Sequence, residues 1–241
     1  MNAHRSPLSA PLAAAALALL LGACAEVPKG HYPGAAGQQA QREAEQALPA
    51  DGTAQADGQD THLRLIAQMQ RDGLWFASLA HVDALEQRWG ATPSSTRLRA
   101  DALRRTDQPE AARTAYEKLV GTPLEATGYH GLGLLAAARR DDAEAVRLFE
   151  LARRRTPTDA ALLGDLGYAH LRAGRIAEAR VPLMQAMQLK PDDPQVQVNV
   201  ALYLQASGQS ARAEALMTAS GMPPGTRNAV RDGALSLGAP Q

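Results

Sequence analysis

The side chains that most often carry catalysis or bind metals are sparse in this chain of 241 residues. It has six histidines, but no two lie four residues apart with a glutamate between them, the spacing that holds zinc in metallopeptidases. The single cysteine, Cys24, excludes an intrachain disulfide and any zinc site with two or more thiolates. The run Gly131-Leu132-Gly133 has no preceding strand, so it does not indicate a phosphate-binding loop. We therefore expect no enzymatic activity, no metal or other cofactor, and no small-molecule substrate.

Two further features each allow two interpretations. The densest basic run, Arg153-Arg154-Arg155, closes a predicted helix, where positive charge is favoured by the helix dipole; contact with an anionic partner is the alternative. His170 falls at a helix-packing position, which favours a packing residue over a metal ligand. The whole chain has 25 Lys+Arg and 25 Asp+Glu, so its net charge gives no reason to bind nucleic acid.

The first residues have the character of an export segment that is removed from the mature protein. Arg5 supplies a positive charge, and an apolar stretch runs from Leu12 to Leu21. That stretch is too short to span a bilayer, since a membrane helix needs about 20 residues. Gly22, Ala23 and Cys24 follow, and the sequence LGAC resembles the lipobox of bacterial lipoproteins.

This resemblance implies a signal peptide at residues 1–23 and a mature chain that begins at Cys24. In lipoproteins the cysteine sulfur carries a diacylglycerol and the new amino group an N-acyl lipid, and two or more acyl chains anchor a protein stably. Ala25 follows the cysteine where an aspartate could stand, and by resemblance to the usual sorting pattern this favours the outer membrane, facing the periplasm. An ordinary secretory signal with a chance cysteine is the alternative.

Residues 24–60 predict a flexible tether after the lipidated cysteine. After Cys24, Val27 and Leu48 are the only aliphatic residues larger than alanine in this segment. Such a segment cannot bury enough apolar surface to offset the entropy of ordering it. Its composition also allows a short helix near Gln38–Leu48. We expect the folded part of the chain to begin after residue 60.

The rest of the chain is organised by a repeat, marked by Pro123, Pro157 and Pro191 at intervals of 34 residues. Two adjacent copies agree closely and a third is weaker. They are Tyr129-x2-Leu132-Gly133-x2-Ala136 with Ala145-x3-Phe149, Leu163-x2-Leu166-Gly167-x2-His170 with Ala179-x3-Leu183, and Gln197-x2-Val200-Ala201-x2-Leu204 with Ala213-x3-Met217. This pattern resembles the tetratricopeptide repeat. It implies an all-α solenoid of helix-turn-helix hairpins, with repeats at 126–159, 160–193 and 194–225.

Residue types within the repeat predict how its helices pack. Gly133 and Gly167 are expected where the paired helices approach closely, with large apolar residues such as Phe149 filling the space between successive pairs. Pro182 breaks the rule, because a proline inside the predicted helix Ile176–Leu189 costs about 3 kcal/mol. We expect either a tolerated kink on the outer, convex side or an early end of the helix. A bend that shapes a partner surface is the alternative.

Degenerate hairpins are predicted upstream, over residues 61–125. The first has its turn at Asp72-Gly73, and the second has a turn at residues 106–108 and a helix opened by Pro109, a favoured first position. Residues 226–241 form a tail in which a helix around Arg227–Leu237 closes the end of the array.

The first helix of each repeat is expected to line a concave surface, the usual binding face of such arrays. The repeat register places six residues in this groove: His130, Leu134, Tyr168, Arg172, Asn199 and Leu202. Such a mixed surface suits an extended or helical peptide with apolar side chains. The Lys and Asn pair with which part of the family clamps a peptide carboxylate is missing from the matching positions. Alternatively, Leu134, Tyr168 and Leu202 only pack between helices.

Five segments between Leu74 and Met217 go beyond the general repeat pattern: LWFASLAHVDAL, RADALRRTDQPEAARTAYEKL, YHGLGLLAA, PTDAALLGDLGYAHLRAG and VNVALYLQASGQ. Together with the export segment and the tether, they resemble the TadD-type lipoproteins of the tight-adherence (Flp) pilus apparatus. The resemblance implies a pilotin-like scaffold whose partner is a secretin or another pilus-assembly component. The alternative is an adaptor lipoprotein of another envelope machine, such as a type IV pilus pilotin, an outer-membrane protein assembly factor or a peptidoglycan-remodelling factor.

Overall fold

The computed structural model describes residues 52–238, with side chains described for residues 58–237. Within that part of the chain every regular element is a helix, and there are eleven. They are α1 Gly52–Arg71, α2 Trp75–Trp89, α3 Pro93–Arg105, α4 Pro109–Glu117, α5 Glu125–Ala138, α6 Asp142–Arg155, α7 Ala160–Arg172, α8 Ile176–Leu189, α9 Pro194–Ala206, α10 Ser210–Ala219 and α11 Pro224–Gly238. The predicted all-α fold is confirmed. The predicted signal peptide, Cys24 and the helix near Gln38–Leu48 lie outside the described residues.

The start of α1 corrects the predicted extent of the tether. The helix begins at Gly52, inside the range 24–60 assigned to flexible chain. Further along the helix the ring of His62 lies 5.0 Å from the ring of Trp89. An argument based on aliphatic residues overlooks the early start, because the first residues of the helix, GTAQADGQ, are small or polar.

The helices pair as hairpins, and the turn within each repeat has one backbone geometry. Arg140, Gly174 and Gly208 occupy equivalent positions after the first helix, and all have positive φ, 66°, 71° and 76°. In each turn the N–H of the following residue donates to the carbonyl five residues before it. This is the left-handed ending that commonly terminates helices. Asp107 (φ 59°) has the same role in the upstream hairpin α3–α4.

Aspartates at matching positions begin the first helices of two repeats. The carboxylate of Asp159 accepts from the backbone N–H groups of the first turn of α7, and that of Asp193 does the same for α9. These side chains satisfy backbone donors that a helix start leaves free, and their negative charge suits the N-terminal end of the helix dipole.

Small residues allow the close approach of paired helices, as the repeat pattern predicts. A Cβ atom on Gly133 would overlap the ring of Phe149, and one on Gly167 would overlap Leu183. Ala145 and Ala179 are fully buried, as are Phe149, Leu166 and Leu183. The core divides into four apolar clusters that follow one another along the chain, from Ile66 to Val230.

The predicted exposure of Pro182 is wrong. Helix α8 continues through this proline, so it does not end early, and Pro182 is buried in it rather than facing outward. The reason is its spacing, because Pro182 lies three residues after Ala179 and four before Ala186, on the face of α8 that is buried.

A helix is present in the predicted tail, although α11 begins at Pro224, ahead of Arg227. Val230 of α11 is buried in the apolar cluster that also contains Val200 and Leu204 of α9. Among the helices described, none is both long and apolar enough to cross a membrane.

Candidate functional site

The candidate site is the surface formed by α5, α7 and α9, the first helices of the three repeats. Each carries two of the residues predicted to face the groove: His130 and Leu134 on α5, Tyr168 and Arg172 on α7, and Asn199 and Leu202 on α9. Helix α7 contacts both of the others, so the three form a continuous surface.

Polar side chains join these helices one to the next. The Nε2 atom of His130 lies 2.7 Å from an Oδ atom of Asp165, which connects α5 to α7. The amide of Asn199 donates to the carbonyl of Gly164 at 3.3 Å, which connects α9 to α7. The Nε2 of Gln195 donates to the side-chain Oδ1 of Asn199 at 3.0 Å. His130 and Asn199 are therefore held in fixed positions by their neighbours.

A pocket of about 320 Å³ opens on this surface. It brings together four of the six predicted residues, Leu134, Tyr168, Arg172 and Asn199. Its other lining residues are Ala137, Ala138, Phe149, Asp165, Ala169 and Gln195. An apolar floor with a few polar groups at its edge is the usual composition of a ligand site. His130 lies beside the pocket through its contact with Asp165.

Arg172 is the cation of this pocket, and a carboxylate accompanies it. Its Nη2 atom lies 2.7 Å from an Oδ atom of Asp142, and both side chains are mostly buried. The two groups form an ion pair. The guanidinium also lies 5.9 Å from the ring centre of Tyr168, within the range of a cation–π contact. Arg172 is thus held in place by an ion pair and an aromatic contact.

Tyr168 and Leu202 occupy the same position in successive repeats but differ in solvent exposure, which the repeat register does not predict. Tyr168 is 39% exposed, whereas Leu202 is only 7% exposed. A Cβ atom on Gly233 of α11 would lie 3.3 Å from the Cδ1 of Leu202. Leu202 therefore belongs to the concave surface but is covered by α11. For this residue the alternative interpretation, packing between helices, fits the structure, and for Tyr168 it does not.

The sequence prediction missed two polar residues of the pocket wall. Asp165 occupies the same repeat position as Asn199, and Gln195 lies four residues before Asn199. Phe149, a predicted packing residue, is fully buried and forms part of the pocket floor. A comparison of equivalent positions would have found Asp165. No sequence signal identified the residues of α11 that approach Leu202.

His170 and the basic run at the end of α6, the two features with alternative interpretations, make contacts within the fold. His170 is buried, and burial lowers its pKa below the usual value for histidine. Two of the three arginines that end α6 form ion pairs, Arg153 with Glu150 at 2.8 Å and Arg155 with Glu125 at 3.1 Å. These contacts agree with the interpretation of the basic run as a helix end. In the described part of the chain no three His, Cys, Asp or Glu residues are grouped so as to hold a metal ion.

Comparison with known proteins gives the family. The family model for the tetratricopeptide repeat matches residues 134–198. A TPR repeat-containing protein of Pseudomonas aeruginosa is 31% identical over 197 residues, which cover 81% of this chain and 73% of that protein. The chain belongs to the tetratricopeptide-repeat (TPR) proteins.

Solved structures of TPR proteins share the fold. A thermophilic TPR protein of Thermus thermophilus superposes with a TM-score of 0.60 at 21% identity, covering 74% of this chain and 98% of that one. PilF of Pseudomonas aeruginosa superposes with a TM-score of 0.63 at 16% identity, covering 76% of this chain and 90% of that one. TPR proteins are generally non-catalytic scaffolds that bind other proteins, and the groove of this chain has the composition for that role.

Proposed function

We propose that this TPR chain is a scaffold lipoprotein of the outer membrane that binds a protein partner through its concave groove and helps assemble the Flp pilus export machinery, as a pilotin does. The partner in this proposal is a secretin or another component of pilus assembly. The lipid on Cys24 holds the chain to the periplasmic side of the membrane, and the tether allows the repeats to reach the partner.

The pocket between α5, α7 and α9 is the observation that carries the binding role. Its apolar floor accommodates a side chain of the partner, and the exposed ring of Tyr168 and the ion pair of Arg172 with Asp142 lie at its edge. Such an arrangement suits a peptide segment with an aliphatic or aromatic side chain.

The pilus assignment and the membrane anchor have separate support. The sequence LGAC before and at Cys24 supports lipidation, and Ala25 after it supports sorting to the outer membrane. The five segments from LWFASLAHVDAL to VNVALYLQASGQ support the resemblance to TadD-type lipoproteins, from which the pilotin-like role comes.

The test is photo-crosslinking in the native host, with a photoreactive amino acid at Tyr168 and mass spectrometry of the adducts. The control position is Val181, which is 57% exposed on α8, the second helix of the same repeat. We expect adducts with a secretin or another pilus component from Tyr168 and none from Val181. Adducts only with components of another envelope machine would replace the pilus role with the adaptor role. Equal adducts from both positions would contradict binding through the groove.

A further inference from the structure

Helix α11 does more than close the end of the array, because its second half lies on the concave surface. Gly233, Ser236 and Leu237 share a pocket of about 160 Å³ with Tyr168, Arg172 and Leu202. Leu237 also borders a larger cavity of about 540 Å³ beside the turns that contain Arg140 and Arg175. The end of α11 thus reaches from the third repeat to residues of the second and the first.

The two halves of α11 are held unequally. In its first half Val230 is buried in the core, and the guanidinium of Arg227 donates to the backbone oxygen of Met222 at 2.7 Å. The ion pair of Arg231 with Glu214 follows, with both side chains well exposed.

The second half of α11 contributes only the partly buried Ala234 and Leu237 to the core, while Leu235 is 75% exposed. Gly233 and Gly238 further weaken this half as a helix. Few contacts therefore hold it in place.

The packing under this half of α11 is incomplete. The cavity of about 540 Å³ between Leu237 and the two repeat turns is lined largely by charged and small residues, among them Arg140, Asp142 and Arg172. The neighbouring pocket of about 320 Å³ shares Tyr168 and Arg172 with the pocket at Leu237. Removal of the second half of α11 would expose Leu202 and join these spaces into one longer groove.

We propose that the second half of α11 is an intramolecular occupant of the concave groove, and that a partner binds by displacing it with an apolar helix of its own. The apolar side chains that the partner replaces are Ala234 and Leu237, whose i, i+3 spacing is that of one face of an amphipathic helix laid in a groove. This inference rests on the proposed binding role of the groove. It adds that the partner's binding segment is a helix and that α11 controls access to the groove.

A synthetic, fluorescent peptide with the sequence of residues 224–238 tests the displacement directly. It is added to the full chain and its binding is followed by fluorescence anisotropy. In the wild type the groove is occupied by the chain's own helix, so the apparent affinity is reduced by the small fraction of open molecules. A variant that releases α11 should bind the peptide at least about fivefold more tightly.

Two variants with matched controls release α11 by different means. In Gly233→Leu the new Cβ lies 3.3 Å from the Cδ1 of Leu202, so the longer side chain crowds Leu202, whereas Gly225→Leu adds the same side chain to α11 where no atom lies within 4 Å of the new Cβ. In Leu237→Lys a positive charge is placed beside Arg140 and Arg172, whereas Leu235→Lys places it in solvent. Thermal unfolding shows whether Gly233→Leu disturbs folding of the whole chain. If it does, Leu237→Lys alone tests the release of α11.

The expected result is tighter peptide binding by Gly233→Leu and Leu237→Lys, with both controls equal to the wild type. Equal binding by all five proteins, or no binding by any, would overturn the inference. Crosslinking from Tyr168 in the Leu237→Lys background separates this outcome from a failure of the proposed function. If the variant gains peptide binding but Tyr168 still captures no protein in the host, the proposed function is wrong while the occupancy of the groove by α11 stands.

Discussion

The side-chain amide of Asn199 donates to the backbone oxygen of Gly164, 35 residues earlier in the chain. The contact between Asp165 and His130 has the same separation of 35 residues and joins the same two repeat positions, one repeat before. A polar link thus recurs between successive first helices on the concave side, although the residues that form it differ. It fixes the relative position of the helices that carry Leu134 and Tyr168, and therefore the shape of the pocket.

Two glycines three residues apart in α7 should respond oppositely to alanine. A Cβ on Gly164 would meet the Asn199 amide at 3.5 Å, an ordinary contact, so Gly164→Ala should raise the free energy of unfolding by about 0.5–1 kcal/mol through reduced backbone entropy. A Cβ on Gly167 would overlap Leu183, so Gly167→Ala should lower it by about 1–3 kcal/mol. Urea unfolding measures both. A loss in both variants would contradict the packing described for Gly164.

The turn of the first repeat should be improved by a glycine. Arg140 has a φ of 66° where the next two repeats have Gly174 and Gly208. A left-handed conformation costs an L-residue about 1–2 kcal/mol. Glycine avoids this cost, but it loses more backbone entropy on folding, which offsets part of the gain. Arg140→Gly should therefore raise the melting temperature, with a gain of about 0.5–1 kcal/mol. Arg139→Gly, with an ordinary φ of −82°, is the control and should not stabilise.

His170 should make folding sensitive to acid. Burial lowers the pKa of this imidazole, so as the pH falls the unfolded chain takes up the proton before the folded chain does. The stability that neutral His170 contributes is present above its unfolded pKa of about 6.5 and is lost as the pH falls from there toward the lower folded value. The charged groups that face it are Glu150 and Arg153 of α6, Arg175 before α8 and Glu178 on α8.

Leucine at position 170 should remove this dependence, since Leu204 holds the equivalent place in the next repeat and is buried. Urea midpoints of the wild type and His170→Leu, measured from pH 8 to pH 5, should diverge in favour of the variant below about pH 6.5. His81→Leu alters an exposed histidine of α2 and is the control. Parallel midpoint curves for wild type and His170→Leu would show that burial of the imidazole does not resist its protonation.

The lipid anchor is tested by Cys24→Ser, which removes the only thiol of the chain. Without acyl chains the protein should move from the membrane fraction to the soluble periplasmic fraction, and pilus assembly in the host should fall. Fractionation measures the change of location, labelling with a radioactive fatty acid measures acylation, and counting surface pili by electron microscopy measures assembly. Membrane fractionation of the variant equal to that of the wild type would contradict lipidation at Cys24.

The repeat hairpins could be predicted from the sequence because their determinants are local and recur. Gly133 and Gly167 identify the close helix contacts, and Gly174 and Gly208 mark the turns. Even the degenerate hairpin before them was located by its proline and by the turn at Asp107. Each of these features acts within about one repeat of its own position, where spacing along the chain determines spacing in the fold.

The parts that escaped prediction depend on contacts that spacing does not encode. The path of α11 over Leu202 is set by the packing of a helix that lies outside the 34-residue pattern, and the pattern contains no information about that helix. The early start of α1 lies in a run of small and polar residues, GTAQADGQ, where no apolar spacing signals a helix. Proline is generally disfavoured in helix interiors, and from this rule alone we expect Pro182 to face outward. Its spacing from Ala179 and Ala186 places it instead on the buried face of α8.

The division of the core into four successive clusters also has a consequence for biogenesis. Each cluster is assembled from residues close together in sequence, as in the one that joins Ile66, Val82, Leu85 and Leu98. A chain that emerges slowly, from a ribosome or from a translocation channel, can complete one cluster as soon as the next hairpin has appeared. The order of synthesis then becomes the order of folding, and α11 reaches the groove only after every helix beneath it has been made.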